Sequence, residues 1–556
     1  MRKYLFIAIL SLAFLLRVVD LDRFPSGFTP DEASFGYDAY SILKTGRDQW
    51  GVKFPLVLKS FGDYKSPLYT YLTIPSVAAF GLNKIAVRLP NALLGVLAVF
   101  VVYLLTGEIG RLLKLGEKEN IYFQITAALF LSISSWHIML SRGAFEANLI
   151  TLFLPLGIYF FLKKNYFISA LIFGLNLFSY HSAKVLTPVI FLGLIYFFRK
   201  RFLTDWKKIL ISFFIFAAFF IVMVYTLTIG GAARISERSI TGGALEEGAR
   251  IKIALIQKGV NPILARVLHN KYQVVANRFI TNYSQYFSFR FLFKDGPAET
   301  TYGMLPGLGV IYGFEGLLIL GIIPIIFQRK YLKVVLIILV WLFISPVPAA
   351  LATGVGFSAN RAVAMIPSLQ IIEALGVFGW WFILRKFNRK TLAVLTFILS
   401  FWVAKDINKY FKAYYYDSPK ISARGMSYGN LEVGYWLKEN VEGKVAVISK
   451  TLSEPHIYIA FANSWDPADY QEQTKSWRFD ESGVNWVDQI PNYSLGRYVF
   501  QNVDWKVNIG KPNSLLVGRP EQFLPSDIPT KIFNYPDGSD AIFVVDSNKQ
   551  IYAKGN

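Results

Sequence analysis

The stretch Ile209-Leu-Ile-Ser-Phe-Phe-Ile-Phe-Ala-Ala-Phe-Phe-Ile-Val-Met-Val-Tyr-Thr-Leu-Thr228 holds no charged residue and follows Lys207-Lys208. A helix needs about 20 mainly apolar residues to cross a bilayer core, so this run reads as a membrane span with a basic end. Outward from it lie further apolar stretches at 4–19, 86–106, 121–136, 148–162, 166–180, 185–198, 308–328, 331–350, 362–384 and 390–404. The expected fold class is a polytopic α-helical membrane protein with about 11 transmembrane helices. The first stretch has the Arg2-Lys3 start of a signal peptide, but Arg17, Asp20 and Arg23 stand where a small-residue cleavage site would be. It is expected to remain as an uncleaved first span.

Composition agrees. The chain has 556 residues, 54% hydrophobic and 17% charged, against roughly 25% charged in soluble domains. Its mean hydropathy is +0.39. These values exclude a disordered chain, a coiled coil and an ordinary cytosolic enzyme. The net charge of +21 invites a nucleic-acid partner, but the excess is confined: residues 1–404 hold 41 Lys/Arg against 19 Asp/Glu, and residues 405–556 hold 17 against 18. The basic surplus thus sits among the spans, where short cytoplasmic loops collect it, and no nucleic acid is expected. The chain has no cysteine, so disulfides, Cys-ligated zinc and thiol catalysis are excluded.

With the N-terminus inside, the cytoplasmic ends of the spans collect 19 Lys/Arg, among them Arg111, Lys163, Arg199, Lys207, Arg329 and Arg385. The short outside loops hold three, Arg142, Lys184 and Arg361. By the positive-inside bias three larger pieces then face out of the cytoplasm: the loop 20–85, the loop 229–307 and the tail 405–556. The chain divides accordingly into a transmembrane part, 1–404, and an extracytoplasmic mixed α/β domain, 405–556. Within the tail, a helical pattern at 428–440 precedes strand-like runs at 445–449, 456–461, 513–517 and 541–545, separated by Gly, Pro, Asn and Asp clusters.

The loop 20–85 carries the densest chemistry. In Thr29-Pro30-Asp31-Glu32, Thr29 suits a helix N-cap, Pro30 the first helical position, and Glu32 the capping-box partner. Phe35, Ala39 and Leu43 would share one face and Gly46 would end the helix. The pattern predicts a short amphipathic helix along the membrane surface with two acids at its start. Glu32 is explained by the cap. Asp31 has no such duty, and the helix dipole favours its ionised form, which suits a general base or a metal ligand. Further on, Asp63 and Lys65 precede an aromatic, apolar stretch, where Lys65 can meet a phosphate as a point charge or snorkel at the interface.

Asp31-Glu32, then Lys65-Ser66-Pro67-Leu68-Tyr69, then Val87-Arg88-Leu89-Pro90-Asn91-Ala92-Leu93, resembles in order and sidedness the polytopic glycosyltransferases of the GT-C fold. Relatives of that family include the aminoarabinose transferase of lipid A and the protein O-mannosyltransferases. Lys-Ser-Pro stands where the family usually has Lys-Pro-Pro. Ser141-Arg142-Gly-Ala-Phe-Glu146-Ala-Asn148 is similar to its second outside loop, with Glu146 in place of the usual Asp. Asn360-Arg361-Ala-Val-Ala-Met-Ile-Pro367 resembles its late Arg before a Pro-bearing helix. Tyr283–Gly296, Leu305–Gly309 and, in the tail, Pro455–Phe461 and Asp466–Gln471 resemble a subgroup with a large outer loop and an outside domain.

The resemblance implies a plasma-membrane, multi-pass glycosyltransferase with an extracytoplasmic catalytic face. It would move a sugar from a polyprenyl-phosphate donor to a lipid, glycan or protein hydroxyl with inversion. Asp31 and Glu32 are then the catalytic candidates. Asp63, Lys65, Arg142, Glu146, His181, Lys184 and Arg361 are the candidates for substrate contact. Arg142 also admits an i,i+4 pairing with Glu146, and His181 a plain turn position. His137, beside Trp136, reads as an interfacial anchor. Asp31, Asp63 and Glu146 offer the oxygen ligands a divalent metal would take. No HExxH or His/Cys set and no nucleotide cofactor is legible. The alternative function is a transporter or flippase of a lipid-linked saccharide, which would be expected to show repeats and broken mid-membrane helices.

Overall fold

The computed structural model describes residues 2–230, 239–353, 358–479, 481, 483–503 and 512–549. The apolar stretches are mainly helical, including Arg2–Val18, Lys84–Leu112, Phe202–Gly230, Met365–Leu384 and Arg389–Lys412, with 308–328 broken into Gly313–Leu320 and Ile323–Ile326. Among the described residues, five helices are long and apolar enough to span a bilayer. A sixth arises if Glu117–Ile133 and Ser135–Arg142, bent by 56°, count as one. The others, such as Leu149–Leu162, Tyr166–Asn176 and His181–Phe197, are shorter apolar helices. An apolar helix, Leu68–Phe80, also lies inside the loop read as external.

The loop and the tail are built together. The helix Pro30–Thr45 starts with both halves of the predicted capping box and ends at Gly46 in the left-handed region (φ 69°). It is not an amphipathic helix lying open on a surface: Glu32 to Ala39, Ser41 and Ile42 are all buried. The reason is the tail. The Phe28 ring packs tilted against Phe461 with centroids 5.1 Å apart, Tyr37 donates to Trp465 O at 3.1 Å, and Tyr458 donates to Phe28 O at 2.8 Å. Gln471 donates to Ser41 Oγ and Asp48 O. One hydrophobic core therefore takes Phe28, Phe35, Tyr37, Phe61 and Tyr69 from the loop and Tyr458, Phe461, Trp477 and Phe500 from the tail. The sequence boundary at residue 404 falls inside the helix Arg389–Lys412.

The tail carries a six-stranded sheet. Its strands are β3 (Val445–Ile448), β4 (Tyr493–Leu495), β5 (Tyr498–Phe500), β6 (Ser514–Gly518), β7 (Lys531–Asn534) and β8 (Asp540–Asp546). The short hairpin β1 (Leu58–Lys59) and β2 (Tyr64–Lys65) belongs to the first loop. The spatial order is β4-β5-β3-β6-β8-β7, with β3 parallel to β5 and β6 and the remaining pairs antiparallel. The run 456–461, read as a strand, is instead part of the helix Pro455–Asn463. Pro455 to Ala462 are all buried, so no polar face marks the helical period, and an unbroken apolar run of this length fits either state.

One ion pair ties the loop to the spans. Arg88, on the helix Lys84–Leu112, uses all five donors: Glu32 Oε1 (2.8 Å) and Oε2 (3.0 Å), Leu21 O, Pro25 O and Gly27 O. Glu32 also accepts from Thr29 N and Ala144 N, both at 3.0 Å. Both side chains are fully buried. A buried pair broken on one side leaves an uncompensated charge and costs about 3–5 kcal/mol. Arg88→Met and Glu32→Gln should each lower the thermal unfolding temperature in detergent markedly. The double variant should lose less than the sum of the two; additive losses would mean that the two side chains act separately.

Candidate active site

Asp31 and Lys65 meet. The N-terminal turn of the Pro30–Thr45 helix presents Asp31, and β2 ends in Lys65, whose Nζ lies 2.6 Å from Asp31 Oδ1. The two differ in exposure: the Lys65 side chain is 6% exposed and Asp31 44%. The ammonium rests on the faces of Phe35 (4.7 Å) and Phe61 (5.1 Å). A cation on two rings, shielded from water, is attracted to their negative faces, which holds it at the acid without full hydration.

Glu146 joins this pair. It opens the short 3-10 turn Glu146–Asn148 ahead of the helix Leu149–Leu162. Burial pushes its carboxyl up to about 8, Lys65 and Lys184 pull it down, and Asp31 pushes it up. Its Oε2 is buried without a hydrogen-bond partner among the described residues. Lys65 also faces Asp38, two turns after Asp31 on the same helix. Burial, and then Asp48, push the Asp38 carboxyl up to about 8, and the Gln49 N–H donates to its Oδ1 at 2.9 Å.

A second arm comes from the large loop and the late spans. Tyr302 lies in the left-handed region (φ 68°, ψ 18°), where a bulky residue is a backbone outlier. Its ring packs edge-on to Phe145 at 5.5 Å. Its hydroxyl is within electrostatic reach of Asp31, Tyr180, Glu299 and Glu146. Burial pushes the Glu299 carboxyl up, while the Ser358 hydroxyl (2.8 Å) and Arg361 pull it down. Arg361 donates to Thr353 O at 3.0 Å and also faces Tyr180, and Asn360 donates to the Tyr180 hydroxyl at 3.4 Å.

The geometry sorts the sequence candidates. Asp31, Lys65, Glu146 and Lys184 form one electrostatic cluster, with Arg361 reached through Tyr180 and Tyr302. Asp63 lies in the hairpin turn two residues before Lys65, its carbonyl accepting from Ser60 N at 2.7 Å. His181 is exposed at the start of its helix, its ring edge-on to Tyr180. Glu32 is occupied with Arg88, Thr29 and Ala144, as described above. Arg142 does not pair with Glu146: its helix stops at extended Gly143, and its guanidinium caps the first helix through Leu16 O, Val19 O and Asp20 O. Nor is His137 an interfacial anchor. It is fully buried, 2.8 Å from Arg17 and 3.0 Å from Thr151. Tyr180, Glu299 and Tyr302 were missed because no local pattern marks them; only the unusual Tyr302 backbone, invisible in sequence, singles them out.

The carboxylates do not assemble a metal set. Among the described residues no three of His, Cys, Asp and Glu converge as ligands, and Asp31 Oδ1 is already opposite an ammonium. The chemistry legible here is a half-exposed acid beside a buried cation.

No protein-family profile matches the chain, and no curated protein sequence matches it. Among solved structures it is similar to ArnT from Cupriavidus metallidurans in the apo state, at 11% identity and TM-score 0.49, covering 100% of this chain and 99% of that one. The same enzyme bound to undecaprenyl phosphate gives 11% identity and TM-score 0.48, covering 98% and 97%. The Archaeoglobus fulgidus oligosaccharyltransferase, in complex with Zn and sulfate, gives 14% identity and TM-score 0.44; 83% of this chain matches and spans 61% of that one. Both neighbours are GT-C fold enzymes, the class that the sequence motifs resemble.

Glu146 yields a prediction. Its carboxyl is raised from 4.5 to about 8 in the fold, so between these values the folded chain keeps a proton that the unfolded chain releases. Stability therefore falls as pH rises through that window. Glu146→Gln cannot ionise, so its unfolding temperature should gain on the wild type from pH 5 to pH 9. An equal offset at every pH would show that Glu146 does not carry the shift.

Proposed function

We propose that this protein is an integral membrane glycosyltransferase. In this reading it moves a sugar from a polyprenyl-phosphate donor to an extracytoplasmic acceptor hydroxyl with inversion at the anomeric carbon. The observation that carries the reading is the Asp31–Lys65 pair: a half-exposed carboxylate and a buried ammonium, 2.6 Å apart, beside Glu146.

Lys65 binds the donor phosphate as a point charge. That draws its positive charge away from Asp31, which then becomes a stronger proton acceptor. Asp31 takes the acceptor hydroxyl proton. The freed oxygen bonds to the sugar anomeric carbon as the carbon–oxygen bond to phosphate breaks, and the electron pair leaves on the phosphate oxygen. Lys65 and, from the second arm, Arg361 offset that developing charge. Glu32 holds the loop and takes no proton. The transport reading has no such use for an acid at the start of an outer-loop helix.

Asp31→Asn keeps the shape, removes the base and frees Lys65. Turnover should fall by roughly two to four orders of magnitude, while affinity for undecaprenyl phosphate, the lipid bound to ArnT in one comparison structure, should hold or tighten. Lys65→Met should lose that affinity. Near wild-type turnover for Asp31→Asn, or unchanged affinity for Lys65→Met, would remove the residue from its role.

We place the first loop and the tail on the outer face of the plasma membrane, on the Lys/Arg bias. The chain lacks cysteine, so single cysteines report cleanly. Exposed Phe54→Cys and Asp537→Cys should react with an impermeant maleimide on intact cells, and Lys114→Cys only after lysis. Labelling of Lys114→Cys before lysis, or its absence at either other site, reverses the topology.

A further inference from the structure

The hairpin that ends in Lys65 is gripped by the C-terminal domain. Val487 N donates to Phe61 O at 2.7 Å. Gly62 (φ 157°) lies so close to the tail that a Cβ there would meet Asn485 O at 2.0 Å and the Trp486 ring at 2.6 Å. Phe61, one of the two rings under the Lys65 ammonium, faces Trp486 at 6.4 Å and His456 at 5.6 Å. Trp486 is itself fixed, its Nε1 donating to Glu454 Oε1 at 2.5 Å.

Glu454 is an unusual support. It and Ser453 are consecutive non-glycine residues with positive φ (47° and 56°), Glu454 in the left-handed helical region. Such backbone costs on the order of 1–3 kcal/mol per residue and persists where surrounding contacts enforce it, often at functional sites. Here Asp488 Oδ2 accepts from Glu454 N at 2.7 Å, and the Ser453 hydroxyl donates to the Glu454 carboxylate. Asp488 is in turn held by the Tyr493 hydroxyl at 2.6 Å. Glu454 is 6% exposed, and its carboxyl lies within electrostatic reach of Asp31.

We propose that Glu454, from the C-terminal domain, is a positioning residue of the site, fixing the Lys65 ammonium against Asp31 through Trp486 and Phe61. The tail then sets the donor-phosphate contact instead of merely covering the loop. The inference rests on the reading of Lys65 as the phosphate contact, but the location of Lys65 can be measured without any ligand.

The test uses the full chain in nanodiscs and two readouts. The first is acylation of the Lys65 amine by an N-hydroxysuccinimide ester, followed by mass spectrometry. The second is affinity for undecaprenyl phosphate. Buried Lys65 should label slowly in the wild type. Trp486→Phe, which removes the indole N–H donor and makes the ring smaller, and Glu454→Ala should each speed labelling. Each should weaken lipid affinity by about tenfold, the loss of one hydrogen bond to a charged acceptor. The double variant should be no worse than either single, because both act through one contact. Glu454→Gln keeps an acceptor oxygen and should restore the wild-type pattern. Gly62→Ala, which wedges hairpin and tail apart, should behave like Glu454→Ala. Unchanged Lys65 labelling in Trp486→Phe and Glu454→Ala overturns the proposal, as does additive loss or a Glu454→Gln no better than Glu454→Ala. A wild type that does not bind undecaprenyl phosphate overturns the donor reading, and the labelling then decides the positioning by itself.

Discussion

The Arg88–Glu32 pair is the constraint on which the rest of the site depends. A guanidinium buried with five donors must find five acceptors, and this one finds them on two pieces of chain, the loop 21–27 and the start of the Asp31 helix, while Glu32 in turn accepts from the Ala144 N–H. Desolvation makes any other arrangement costly. The first loop is therefore anchored to the helix Lys84–Leu112, and Asp31, the residue just before Glu32, inherits a defined place. The two neighbouring acids divide the labour by burial. Glu32 is enclosed and fully hydrogen-bonded, whereas Asp31 keeps nearly half of its side-chain surface open.

The second constraint is the shared core between loop and tail. A hairpin as short as β1–β2 has almost no stability of its own. Its aromatic residue Phe61 and its glycine instead dock against Trp486 and Asn485, and Phe28 and Tyr37 dock against the helix Pro455–Asn463 and its C-terminal end. The packing that stabilises the hairpin also orients Lys65. The geometry of the Asp31–Lys65 pair and the docking of the tail are thus one set of contacts, and a change far along the chain can act on the pair without touching it.

The charge distribution follows the same logic. Lys65, Lys184 and Arg361 gather around Asp31, Glu146, Glu299 and Tyr302. Each charge is partly desolvated and partly offset by a neighbour. Lys65, opposite Asp31, therefore does not stand as an unpaired buried charge.

Much was legible in the residues alone. The apolar stretches became helices because a mainly apolar segment away from water can satisfy its backbone polar groups only within itself. The capping box at Thr29–Glu32 and the stop at Gly46 formed as read, since both depend on contacts within a turn. The pairing of Asp31 with Lys65 was indicated only as two residues in one loop; their 2.6 Å approach required the hairpin to fold back. The Arg142–Glu146 pairing and the interfacial place of His137 did not form because the partners these side chains find, the carbonyls of Leu16, Val19 and Asp20 and the Arg17 guanidinium, are more than a hundred residues away in sequence. The strand read at 456–461 failed because complete burial erases the helical period. Tertiary structure alone decided that the tail covers the Asp31 helix, that Glu32 belongs to Arg88, and that Tyr302 and Glu454 come within electrostatic reach of Asp31. Local sequence records hydrogen bonds and periodicities within a turn or two, whereas a site assembled from distant segments exists only once their buried charges and rings have found one another.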